Sequence, residues 1–226
     1  MKDMPCSSSH FPDSEFRRSS GDSPAPLRTK HRVVGACACL LVIGLGWVIM
    51  TGGWWVESAE WQALEPKEAS ELRAKAEKGD VDSQFKLASA YYHGQGLPKS
   101  EREAVVWVRK AAEGGYLPAQ YNLGLLLCRG EGVPKDDAGA LTWFRRAAER
   151  GHPLAQLSLG GMYAKGNGAR VDEVEAYKWW LLAGAQGVEA ALKNIAILER
   201  SLSSDQRLEG QRRAREAHLA NQTASR

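Results

Sequence analysis

The sequence predicts an all-α protein: an α-solenoid of helix-turn-helix units, preceded by one transmembrane helix. Three observations predict it. Trp107, Trp143 and Trp179 lie thirty-six residues apart, and Leu87, Leu123, Leu159 and Ile195 keep the same period. The glycine pairs Gly94/Gly96, Gly130/Gly132 and Gly166/Gly168 recur in the same register. Self-similarity at a fixed period of this length is the mark of stacked repeats. Upstream, residues 33–56 form an uncharged run of 24 residues, and about twenty such residues span a bilayer.

Residues 1–32, rich in Ser, Pro, Asp and Arg, read as a disordered cytoplasmic tail. Residues 33–56 read as the membrane helix. Arg28, Lys30 and Arg32 precede it, and Glu57 and Glu60 follow it. The positive-inside rule then leaves the N-terminus in the cytoplasm and the repeats across the membrane. Trp54 and Trp55 suit the far interface. The alternative is a cleaved signal peptide with secretion to the periplasm. The length of the run, the thirty-odd residues ahead of it and the lack of an A-x-A site all argue against cleavage. Residues 57–65 are a linker.

The solenoid is expected over residues 66–202, with three full units over 83–190 and half-unit caps. In each unit a first helix, such as Ala119 to Arg129, carries Ala119, Leu123 and Leu127 on one face. A Gly-x-Gly turn stops it. Ser100, Asp136 and Asp172 are placed to cap the second helices. The middle second helix carries Ala140, Trp143, Phe144 and Ala147 as an apolar stripe. One such hairpin cannot bury its own apolar face, but stacked neighbours can. Ala191 to Arg200 is a first-helix half-unit. Ser203 and Gln206 form a capping box for a last helix over 203–219, which holds Leu208, Ala214, Ala217 and Leu219. Residues 220–226 read as a disordered tail.

The units resemble the Sel1-like repeat (SLR) family, a relative of the tetratricopeptide repeat. Ala119-Gln-Tyr-Asn-Leu123-Gly124 leads to Gly130-Glu-Gly132, and Ala140-Leu-Thr-Trp143 leads to Ala147-Ala148-Glu149-Arg150-Gly151. Ala155, Leu159-Gly160, Tyr163, Gly166 and Gly168 repeat the pattern, while the first unit has Ala88 where the family has glycine. The resemblance covers about residues 66–200. It implies a right-handed α-solenoid that binds proteins, with no shared catalytic residue.

Composition limits the alternatives. The net charge is +3, and residues 1–32 hold part of it, so the repeats are near neutral and no nucleic-acid partner is expected. Of the cysteines Cys6, Cys37, Cys39 and Cys128, only the last lies in the repeats, which leaves them no internal cysteine pair. The five histidines show no metal-ligand spacing, and neither a cofactor nor a catalytic motif is expected. Leu87, Trp107, Leu123, Trp143, Leu159 and Trp179 are expected to form the repeat core, with Trp143→Ala costing about 3–5 kcal/mol.

Carried over by register from the tetratricopeptide relatives, a peptide groove would be lined by first-helix side chains. These are Phe85, Tyr92 and His93, then Tyr121, Cys128 and Arg129, then Leu157 and Lys165. His93, Arg129 and Lys165 would form a ladder suited to acidic side chains or a C-terminal carboxylate. Each of the three also sits where a helix C-terminus favours a cation without any ligand. The expected function is a membrane-anchored adaptor or scaffold of the bacterial envelope with a protein or peptide partner. The alternatives are a docking subunit of a peptidoglycan- or envelope-remodelling enzyme and a hydrolase.

Overall fold

The computed structural model describes residues 67–224. The expected tail, membrane helix and linker at 1–65 lie outside the described residues. The described chain forms α1 (Lys67–Glu77), α2 (Val81–His93), α3 (Glu101–Glu113), α4 (Leu117–Arg129) and α5 (Asp137–Glu149). These are followed by α6 (Pro153–Lys165), α7 (Glu173–Ala185), α8 (Glu189–Leu198) and α9 (Ser204–Ala224). Helices α2/α3, α4/α5 and α6/α7 are the three hairpin units, each packed on the next through its second helix.

The punctuation read from the sequence is what shapes the hairpins. Gly94, Gly130 and Gly166 end the first helices with φ of 72°, 73° and 76°, a left-handed backbone that glycine adopts without strain. The side chains of Ser100, Asp136 and Asp172 accept hydrogen bonds from the amides of Glu103, Gly139 and Glu175, at 3.3, 2.9 and 2.9 Å. Ser203 and Gln206 form the reciprocal capping box at the start of α9, at 2.9 and 3.2 Å.

Within each unit one side chain on the second helix fills the space left by a small residue on the first. Phe144 comes within 2.6 Å of where a Cβ on Gly124 would lie, and Trp180 does the same at Gly160. In the first unit the equivalent positions are Ala88 and Val108, both fully buried. A smaller side chain on the second helix leaves room for the extra methyl, which explains the departure from glycine. Leu87, Leu123 and Leu159 are fully buried.

The tryptophan row differs from expectation. Trp107 and Trp179 are buried, but Trp143 is only partly so. Each indole lies under a cation, Lys110 at 4.0 Å, Arg146 at 4.6 Å and Lys178 at 4.2 Å from the ring centroid. The row therefore lies at the edge of the core. The deepest position is one residue later, at Val108, Phe144 and Trp180. A 100° turn per residue separates the two faces.

A second periodic set joins the units. Gln84, Gln120 and Gln156 are buried, and each Nε2 donates to the carbonyl of Ala76, Ala112 or Ala148 in the preceding second helix, at 3.0, 3.2 and 3.1 Å. A buried amide has to be hydrogen-bonded, so this pairing also fixes the register between units.

The C-terminal end departs from the pattern. Leu192 and Ile197 on α8 are exposed, although the equivalent positions in complete units are buried. Helix α9 packs along α7 instead of completing a fourth hairpin. Its contact stripe is made of small residues. Gly210 lets Tyr177 come within 2.6 Å of the missing Cβ, and Ala214 joins the main core. Leu208 and Leu219, expected in its apolar set, are exposed. The helix continues to Ala224, through residues expected to be disordered.

Candidate peptide-binding face

The first-helix row is not an open aromatic floor. Phe85, Tyr121 and Leu157 are buried, with 2%, 3% and 7% of their surface exposed. The Phe85 ring meets Tyr116 at 5.3 Å, and Tyr121 lies against His152 at 4.7 Å and Phe144 at 5.8 Å. Tyr116 and His152 are themselves one period apart, in the turn that opens the next unit. The expected ligand contacts are thus engaged in repeat-to-repeat packing. His152 has a second role, since its Nδ1 accepts from the amide of Ala155 and caps α6.

The expected cationic ladder is uneven. His93 packs edge-on against Tyr92, with centroids 5.1 Å apart. The Arg129 side chain is only 9% exposed and faces Glu131 at 3.7 Å. Lys165 is exposed. All three occupy the last turn of a first helix, where the helix dipole favours a cation.

Glu131, missed in the sequence reading, is the centre of this cluster. It sits between the paired glycines of the middle turn, where the neighbouring units have the uncharged Gln95 and Asn167. Its Oε2 accepts from the Tyr92 hydroxyl at 2.8 Å, so one carboxylate joins the first unit to the second and balances Arg129. Cys128, also placed in the groove by register, is buried. The structure therefore gathers Tyr92, His93, Arg129 and Glu131 at one junction, while Lys165 belongs to the next unit.

Burial first, and then the bond to Glu131, push the Tyr92 hydroxyl up to about 12. Since the neutral phenol is favoured in the folded state, its contribution to stability is intact below about pH 10. It is lost as pH rises from there through about 12. Tyr92→Phe is expected to flatten part of the alkaline fall in melting temperature. An unchanged alkaline limb in the variant would remove Tyr92 from this role.

Among the described residues no group of His, Cys, Asp or Glu is placed to hold a metal ion. The groups gathered on this face are cations, a carboxylate, a phenol and an imidazole.

The Sel1 repeat model matches residues 81–116, 117–152 and 153–188, the three hairpin units. Two solved structures are similar. One is a Sel1 repeat protein from Oxalobacter formigenes, at 42% identity and a TM-score of 0.54, covering 58% of this chain and 98% of that one. The other is c5321 of uropathogenic Escherichia coli, a protective antigen with an SLR fold, at 31% identity and a TM-score of 0.52. That match covers 66% of this chain and only 40% of the other. None of the curated proteins is similar enough to this chain to match it.

Proposed function

The chain belongs to the Sel1 repeat family, and we propose that it is a membrane-anchored scaffold holding a protein or peptide partner in the bacterial envelope. Sel1 repeats generally mediate protein–protein interaction. The observation that carries the reading is the continuous stack of three units. Most of their apolar side chains pack into a shared core, and stacked repeats of this kind present an extended surface to a partner. No catalytic role is part of the reading.

The anchor rests on the uncharged run at 33–56 and its flanking charges. No described helix is long and apolar enough to cross a membrane, so the anchor is a proposal about residues outside that set. Under this reading residues 1–32 lie in the cytoplasm and the repeats lie beyond the inner membrane.

Two measurements test it. Alkaline phosphatase fused after Arg226 is expected to be active, and an inactive reporter in a well-expressed fusion would reverse the topology. Capture with the full chain is expected to enrich a discrete partner that is lost when a repeat unit is deleted. Capture that survives deletion of the repeats would sink the scaffold reading.

A further inference from the structure

A cleft of 640 Å³ lies where the ends of α5 and α7 meet the C-terminal turns of α9, well away from the Tyr92 junction in sequence. Its lining is one-sided in chemistry. Arg150 and His218 supply a guanidinium and an imidazole, and Gln186, Asn221 and Gln222 supply amides. Leu182 and Ala185 supply a small apolar patch. The lining contains no acid and no Phe, Tyr or Trp.

The walls are also held in place. Arg150 donates from Nη1 to the Gly115 carbonyl at 2.7 Å and to Gln120 Oε1 at 3.2 Å. No described acceptor engages its Nε or Nη2. Gln186, one period after Arg150, donates to Gln156 Oε1 at 2.8 Å, and Gln222 pairs with His218 at 2.8 Å. The carbonyls at the two helix ends are used internally. Those of Ala147 and Ala148 accept from His152 and Gly151, and those of Ala183 and Gly184 accept from Val188 and Gly187. The Nε2 groups of Gln186 and Gln222 are likewise engaged, so the cationic donors left at this wall are Nε and Nη2 of Arg150.

We propose that this cleft binds a carboxylate carried by a short peptide segment, with a small aliphatic side chain seated against Leu182 and Ala185. The absence of an acid disfavours an amine or a metal cation. The absence of Phe, Tyr and Trp removes the usual platform for a sugar or a base. A guanidinium with free N–H groups matches a carboxylate in shape and charge, and side-chain amides match peptide groups. The volume lies within the range of small-ligand sites. This inference rests on the scaffold reading and names one of its contact points.

The test is titration of the full chain in detergent with acetyl-trialanine, with its C-terminal amide, and with amidated acetyl-Ala-Asp-Ala, read by NMR shifts of the side-chain amides. Saturable shifts at Gln186, Asn221 and Gln222 are expected with a free carboxylate and not with the trialanine amide. Whether the chain end or the aspartate binds tells the source. Gln222→Ala, on an exposed position, is expected to weaken binding about threefold or more. Arg150→Gln is expected to weaken it tenfold or more. Equal binding of the acid and the amide overturns the proposal, as does no saturable shift at these residues up to about 10 mM. Shifts confined to the Tyr92 junction would overturn this site while leaving the scaffold reading standing.

Discussion

Phe144→Ala is expected to lower stability by about 3–5 kcal/mol, the range for deleting a fully buried large aromatic. Trp143→Ala, one residue earlier, is expected to cost only about 1–2 kcal/mol. The sequence reading assigned the larger loss to Trp143. The reason for the reversal is geometric. Phe144 is fully buried, closes over Gly124 and packs against Tyr121. Trp143 is partly exposed beneath Arg146. Truncating Phe144 leaves a void between two helices of one unit. That void also weakens the neighbouring units, because each unit is held mainly by the ones beside it. Denaturant melts of both variants check the ordering. Equal losses, or a greater loss at Trp143, would mean that the tryptophan row is the true centre of the core.

Gly132→Ala is the second large effect. Gly132 has a φ of 69°, which costs an L-residue about 1–2 kcal/mol by itself. The added Cβ would also lie 2.4 Å from the carbonyl oxygen of Glu101, at the start of the second helix of the preceding unit. Backbone cannot rotate away as a side chain can, so the turn has to shift and the contact between units opens. Gly130→Ala is the internal control. It has a similar φ of 73°, but its Cβ would come no closer than 3.2 Å, to a backbone nitrogen within its own turn. Gly132→Ala is expected to cost clearly more than Gly130→Ala, and hydrogen exchange should quicken at the α3 N-terminus only in the former. Equal destabilisation by the two would leave handedness as the whole effect.

Much of the fold was legible because its determinants are local. Ser100, Asp136 and Asp172 cap through the amide three residues on, and Gly94, Gly130 and Gly166 end helices through their own backbone. A residue that acts within one turn announces itself in sequence. The candidate site was less legible. Tyr121 looked like a ligand contact, yet its neighbours His152 and Phe144 come from elsewhere in the array. Arg129 looked like one rung of a basic ladder until Glu131 was found beside it. The Gln84, Gln120 and Gln156 series was visible at the period, but its partners lie eight residues back in the preceding helix.

The sequence by itself determined the helical class, the thirty-six-residue unit, its turns and caps, and the number of complete hairpins. All of these follow from periodicity and short-range hydrogen bonding, which need no knowledge of what lies across the contact. Tertiary structure alone decided which of two adjacent aromatics is the core, because a 100° step around a helix separates a filled space from a surface. It decided that the aromatic row joins repeats, because burial depends on the neighbour. It also decided where α9 goes. Its small-residue stripe fits α7 closely, while its leucines, the stronger signal in the sequence, point to solvent.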